Sequence, residues 1–397
     1  MKKTVQILSL VMAALMCAVC FVSCGKAGKN YAADNTKLVI GMSGPLTGGA
    51  AIYGVAVKQA AQLAVDELNA AGGIEGMQID FRSYDDQHDP TKVASGYASL
   101  YEGGMQISLG TVTTKPGLEF VPIAAADNVF FITPSASGDD IPVESNGYQL
   151  CFADSNQGTA AAIYVNANYA DKTIGVLYNS SDAYSTGILK KFENSLDPAI
   201  KANLTKASFD SDNVTDLSSQ IGILKDCQFI FMPIYYTPAS LFMKQALDVT
   251  NSIEIYYGCD GLDGIDSIEG FDIKTIPQEV SMLTHFNSSA AEGPAKLFID
   301  KYKEKYGEAP NQFAASAYDC VYAIAAALKN AKADGKEFDV TTSPSDYCEI
   351  LKEQFGKLTF TGVTGEYKDG VQSSMSWDAK GYVNKTATKV VIKENTK

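Results

Sequence analysis

The run Leu38-Val39-Ile40-Gly41-Met42-Ser43-Gly44-Pro45-Leu46-Thr47-Gly48 begins with apolar and small residues and ends in a turn rich in glycine. Its apolar part is too short for a helix and reads as a buried strand. Just beyond it, Val57, Ala60, Ala61, Ala64, Val65 and Leu68 recur at helical spacing, and Gly72-Gly73 closes that helix. A second strand follows over 78–84. Strand, helix, strand at this spacing is the repeating unit of a parallel sheet covered by helices.

The pattern continues outward. Pro90 opens a helix that runs to Gly103-Gly104, and strands are predicted over 105–109 and 129–132. Near residue 155 the alternation restarts, with strands over 173–177, 227–232, 253–257 and 280–284 and a helix over 240–249. Two long helices, Gly293–Tyr306 and 313–332, come last. One doubly wound domain of this length would be unusually large. The restart therefore predicts an α/β protein of two doubly wound lobes with parallel central sheets.

Composition narrows the chemistry. The 397 residues carry 32 Lys plus Arg against 46 Asp plus Glu, a formal net charge of −14. Such a chain is not built to cover nucleic acid or anionic lipid. His88 and His285 are the only histidines, so a three-histidine zinc site is impossible and no H-x-x-x-H helix exists. Arg82 is the only arginine, which leaves no arginine cluster to hold an anion. No metal and no cofactor is expected.

The first residues read as an address. Met1-Lys2-Lys3 precedes an apolar run over 5–22, followed by Ser23-Cys24-Gly25. Phe21-Val22-Ser23-Cys24 resembles a lipobox, which implies cleavage before Cys24 and a lipid on its thiol. The expected organisation is a signal peptide over 1–23 and a lipid-anchored tether over 24–36. The chain is placed outside the cytoplasmic membrane, anchored to the cell membrane. Cys151, Cys227, Cys259, Cys320 and Cys348 remain, an odd count without short spacings, and read as buried free thiols.

In doubly wound sheets, ligands bind beyond the carboxyl ends of the strands. The turn after the first strand, Ser43 to Gly49, matches neither G-x-G-x-x-G nor the P-loop, so nucleotide binding has no sequence support. Gly110-Thr-Val-Thr-Thr-Lys-Pro-Gly117 and Thr133-Pro-Ser-Ala-Ser137 offer hydroxyls and backbone N–H groups near predicted helix starts. That combination suits a carboxylate, although the same residues serve equally as ordinary helix caps. Later strands are followed by Tyr184, by Tyr235-Tyr236 and by Asp260. Strand-end tyrosines commonly just pack, and an aspartate between glycines commonly just turns the chain. On the ligand edge, however, they would face the cradle and suit a zwitterion, with Asp260 meeting its ammonium.

Several ordered motifs carry a resemblance. They are Ile40-Gly-Met-Ser-Gly-Pro-Leu-Thr-Gly48, Leu63-Ala-Val-Asp-Glu-Leu-Asn-Ala-Ala-Gly-Gly-Ile74, Tyr84-Asp-Asp-Gln-His-Asp-Pro90, Thr133-Pro-Ser-Ala-Ser137, Asp154-Ser-Asn-Gln-Gly158 and Ala317-Tyr-Asp-Cys-Val-Tyr322. The chain from Lys37 on resembles the branched-chain amino-acid-binding (Leu/Ile/Val-binding) proteins of ABC importers, of the type I periplasmic-binding-protein group. The resemblance implies a Venus-flytrap fold whose lobes are joined by a multi-strand hinge. Lobe 1 would comprise 37–153 and 285–383, and lobe 2 154–284 and 384–397. By position, Thr114 matches a hydroxyl that binds the ligand carboxylate, and Ser135 a residue whose carbonyl takes the ammonium. Ser137 matches a hydroxyl touching both groups, and Asp154 a site-lining aspartate. Tyr184 and Tyr235 match tyrosines brought down on closure, and Asp260 an acid that pairs with the ammonium. Tyr53, Val112, Thr113 and Phe313 match walls of the side-chain pocket.

Two departures stand out. A glutamate of the family is Asp260 here, one methylene shorter, so the ammonium sits closer or a water bridges. A cysteine pair of the family is His88 and Thr113 here, so no disulfide forms and the wall gains a hydroxyl. The implied function is capture of an amino acid and delivery to an ABC permease and its ATPase, by a monomer and without catalysis. An amino-acid or amide sensor of the same fold, acting with a signalling partner, is the alternative. A hydrolase lacks both a G-x-S-x-G elbow and a histidine near a nucleophile motif.

Overall fold

The computed structural model describes residues 35–396, apart from 144 and 212. The signal peptide, Cys24 and nearly all of the tether lie outside the described residues. No described helix is long and apolar enough to cross a membrane.

The first half lays down β1 (Leu38–Gly44), α1 (Ala51–Ala70), β2 (Ile79–Asp85), α2 (Val93–Glu102), β3 (Ile107–Ser108), α3 (Thr114–Ala126), β4 (Phe131–Thr133) and β5 (Gly147–Gln149). Every residue of β1 is buried, as its unbroken apolar run requires of a strand covered on both faces. The five strands form one parallel sheet in the order β2-β1-β3-β4-β5. The second half adds α4 (Asp154–Asn168), β6 (Ile174–Asn179), α5 (Ala183–Ser195), α6 (Pro198–Ala202), β7 (Thr205–Phe209), α7 (Ser218–Leu224), β8 (Phe229–Met232), α8 (Tyr236–Ala246), β9 (Ile255–Gly258) and β10 (Glu279–Thr284). Helices α9 (Gly293–Tyr306), α10 (Gln312–Ala333) and α11 (Pro344–Phe355) follow, then a short hairpin of β11 (Tyr367–Lys368) and β12 (Val371–Gln372), and finally β13 (Thr388–Lys393). The second sheet runs β13-β10-β9-β8-β6-β7, parallel except for β13, which pairs antiparallel with β10.

The fold is thus α/β with two doubly wound lobes. The chain passes between them three times: after β5, after β10 and before β13. In between, α9 and α10 return to the first lobe, where Tyr318 and Tyr322 both donate to Glu67 Oε2 of α1, at 2.6 and 2.7 Å. The crossings meet on a polar cluster. Lys385 Nζ donates to Thr364 Oγ1 at 2.6 Å, and Thr364 Oγ1 donates to Asp319 Oδ2 at 2.6 Å. His285 lies 2.7 Å from Ser316 Oγ and packs edge-on against Phe152 of the first crossing.

The strands and the segment after β4 differ from expectation, while the cysteines agree with it. The third strand is only Ile107–Ser108, and β5, β7 and β13 were not anticipated. No helix begins at the segment 133–137, because Thr133 Oγ1 accepts from Ser135 N and Ala136 N and folds it into a closed turn. The five described cysteines are free and buried.

Sheet order fixes where a ligand can go. In the first sheet the winding reverses between β1 and β3, and in the second between β6 and β8. The loops leaving these pairs diverge and open a crevice at each reversal. The two crevices face each other.

Candidate functional site

On the first lobe, the loop after β3 leads into α3. Thr113 is its N-cap residue, with extended backbone angles, yet its side chain makes no capping bond. Its Oγ1 lies 2.9 Å from His88 Nδ1 instead. Thr114 Oγ1 accepts from Gly138 N at 3.2 Å, tying α3 to the turn after β4. Ser137 O accepts from Asp154 N at 2.8 Å, so this turn also meets the start of α4. The helix start presents the positive end of its dipole with no side-chain cap.

On the second lobe, Tyr184 sits in the first turn of α5, Tyr235 is the N-cap residue of α8, and Asp260 begins a 3-10 turn after β9. Tyr184 Oη donates to Asp260 Oδ1 at 2.7 Å and accepts from Gly261 N at 2.9 Å. Asp260 N donates to Gln157 Oε1 at 2.9 Å. The rings of Tyr184 and Tyr235 stack 4.8 Å apart and within 10° of parallel. A side chain at 261 would meet both Ile234 O and Tyr184 Oη at 2.7 Å, so only glycine fits there.

The lobes are shut on each other. Tyr53 Oη donates to Gly261 O at 2.6 Å and accepts from Tyr236 N at 3.3 Å. Thr237 Oγ1 donates to Gly49 O at 2.8 Å, and Gln312 N donates to Asp263 Oδ2 at 2.9 Å. Lys191 and Asp139 pair at 3.3 Å at one mouth of the cleft.

Between the lobes lies a cavity of about 10 Å³, lined by Tyr53, Val112, Thr113, Thr114, Ser135, Ser137, Tyr184, Tyr235, Asp260, Gly261 and Phe313. That is room on the order of one water molecule, so a larger molecule enters only if the lobes part. Of the site residues singled out in the sequence, all but Asp154 and Tyr236 are in this lining. Asp154 stands beside Ser137 and lines, with Thr114, the adjoining groove of about 680 Å³. Gly261 and Gln157 were not foreseen as parts of the candidate site, and His88 was foreseen only as standing with Thr113 where the family has a cysteine pair.

The electrostatics of the cavity are one-sided on the second lobe. Burial raises the Asp260 carboxyl to about 6, although the Tyr184 hydroxyl bonded to it opposes the shift. Burial, and then the nearby Asp260, push Asp154 well above the usual carboxylate range. Asp154 Oδ1, Gln157 Nε2 and Tyr235 Oη are buried without a hydrogen-bond partner among the described residues. No lysine, arginine or histidine is in the cavity lining. A buried carboxylate at Asp260 with no cationic side chain in the lining is costly, and a ligand ammonium would relieve that cost. Among the described residues no group of three or more His, Cys, Asp or Glu could hold a metal.

Two facing lobes, three crossings and a polar cavity at both winding reversals define a type I periplasmic-binding-protein fold. The periplasmic binding protein family model matches residues 37–370, and the chain belongs to that family. It is 30% identical over 346 residues to the leucine-, isoleucine-, valine-, threonine- and alanine-binding protein of Pseudomonas aeruginosa, covering 83% of this chain and 86% of that one. Among solved structures it is similar to the branched-chain amino acid transporter substrate binding protein of Streptococcus pneumoniae in complex with isoleucine. That match has a TM-score of 0.76 and 28% identity, covering 91% of this chain and 97% of that one. A leucine binding protein of Thermotoga maritima shares the fold, with a TM-score of 0.75 at 22% identity over 91% of this chain and 96% of that one.

Proposed function

We propose that this chain is the extracytoplasmic solute-binding lipoprotein of an ABC importer, held to the membrane by lipid on Cys24. It captures an amino acid, aliphatic or branched-chain, and delivers it to a permease and ATPase complex. The rigid bodies are 37–153 with 285–383 and 154–284 with 384–397. The ligand carboxylate rests on Thr114, Ser137 and the start of α3. The ammonium is taken by the Ser135 carbonyl, Asp260 and Asp154. Tyr53, Val112, Thr113 and Phe313 wall the side chain, and Tyr184 and Tyr235 cover it on closure.

The observation that carries this reading is the polarity of one closed cavity. A helix start without a side-chain cap stands on one lobe, and on the other stands the buried Asp260, in a lining without a lysine, arginine or histidine. A zwitterion satisfies both ends. The names of the relatives support the aliphatic class. Thermal-shift screening of the common amino acids, on protein refolded to remove any bound ligand, tests the reading. A ligand at 100 times its Kd stabilises the fold by about 2.7 kcal/mol. No shift with any amino acid contradicts it.

A further inference from the structure

Thr113 is placed to cap α3 and does not. Its residue type is a preferred N-cap, and its φ of −116° and ψ of 149° are the backbone angles that capping uses. Pro116 has no N–H, and Gly117 N donates to the Thr113 carbonyl at 3.0 Å. A capping hydroxyl on Thr113 would therefore fall on the N–H of Lys115 and compete with a ligand for it. The hydroxyl is turned instead toward His88 Nδ1 at 2.9 Å.

The placement of His88 is itself enforced. Gln87 and His88 have φ of 56° and 61°, a left-handed pair that side chains disfavour. Carboxylates hold the turn: Asp85 Oδ1 accepts from Gln87 N at 3.1 Å, and the buried Asp86 Oδ1 accepts from His88 N at 3.0 Å. Ser43 Oγ donates to the other Asp86 oxygen at 2.9 Å. The imidazole then stands between Thr113 and the edge of Tyr235, whose ring centroid is 5.3 Å away.

We propose that His88 is a positioning residue: by holding Thr113 Oγ1 it keeps Thr113 from capping α3 and leaves that helix start to the carboxylate of the ligand. This rests on the amino-acid reading for its ligand, but the capping competition exists without one.

Two measurements on the full mature chain test it. In the first, amide exchange at the start of α3 is followed without ligand in wild type, His88→Ala and His88→Phe, the last keeping a ring against Tyr235. Both substitutions release the Thr113 hydroxyl, and protection of the Lys115 amide rises severalfold. Unchanged protection in a folded variant overturns the proposal. In the second, calorimetry measures leucine and leucinamide. Loss of His88 weakens leucine about tenfold and leucinamide less than twofold, because the amide lacks the carboxylate. Thr113→Val removes the competing cap, so the penalty for losing His88 disappears in the double variant. An equal penalty in the presence and absence of the Thr113 hydroxyl makes His88 a packing group only and overturns the proposal. If wild type ignores leucine while Lys115 protection rises as stated, the aliphatic reading fails and the positioning role stands.

Discussion

Tyr53 of α1 donates its hydroxyl across the cleft to the carbonyl of Gly261, 2.6 Å away, and both groups are buried. The same hydroxyl accepts from Tyr236 N, so one oxygen ties the first lobe to two loops of the second. This bond exists only when the lobes are together. Tyr53→Phe keeps the ring against Phe313 and removes the bond. Leaving a buried carbonyl unsatisfied costs about 1–3 kcal/mol. Amino-acid affinity should fall by roughly 5- to 150-fold, measured by calorimetry, while the open form is little affected. Small-angle scattering of the liganded variant should show a larger fraction of extended molecules.

Asp260 carries the strongest demand for a cation. Asp260→Ala strands the ligand ammonium in a closed cavity, at a cost of roughly 3–5 kcal/mol. Affinity for any amino acid should drop at least about 100-fold in calorimetry at pH 7.5. Unchanged affinity removes Asp260 from the binding contacts.

The buried acids also set a pH dependence. Asp260 is raised to about 6, above its unfolded value near 4. Its contribution to stability is therefore full below about pH 4 and lost as pH rises through about 6. Asp260→Asn removes the ionisation, so the variant should melt higher than wild type at pH 7.5, with the gap shrinking by pH 5. Calorimetric melting at both values checks this, and a gap that widens at pH 5 contradicts it. Ligand affinity should run the opposite way in wild type, rising from pH 5 to 7 as Asp260 ionises to meet the ammonium.

The hinge cluster makes a separate prediction. Lys385 is buried, and its ammonium reaches Asp319 through Thr364. Burial lowers its pKa to about 8, with Asp319 opposing the shift. Lys385→Ala leaves Asp319 without its cation, at a cost of about 3 kcal/mol. The melting temperature should fall by several degrees, since about 1 kcal/mol moves a large chain by 2–4 °C. An unchanged melting temperature means the cluster does not hold the crossings together.

Much of this architecture is legible in the sequence because its central strands are covered on both faces. The strand β1 is a continuous buried run and announces itself. The edge strands do not. In Thr205–Phe209, Lys206 and Ser208 face solvent, and β13 is half exposed along its length, so neither shows an apolar run. The site follows the same logic. Thr114, Tyr184, Tyr235 and Asp260 lie in the loops and helix starts that follow strands, where the strand-end rule looks for a candidate site. His88 escapes it, because its position depends on two left-handed residues rather than on periodicity. Gln157 escapes it too, being a helix residue that reaches another loop.

The central claim is that one small molecule is held by both of its charges. Calorimetry on refolded, ligand-free protein tests it with three compounds of one skeleton: leucine, leucinamide without the carboxylate, and 4-methylpentanoate without the ammonium. The account predicts that leucine binds and that each single-charge analogue binds at least about 100-fold more weakly. Equal affinity for 4-methylpentanoate would contradict it, because the carboxylates of Asp154 and Asp260 would then have no cation to meet.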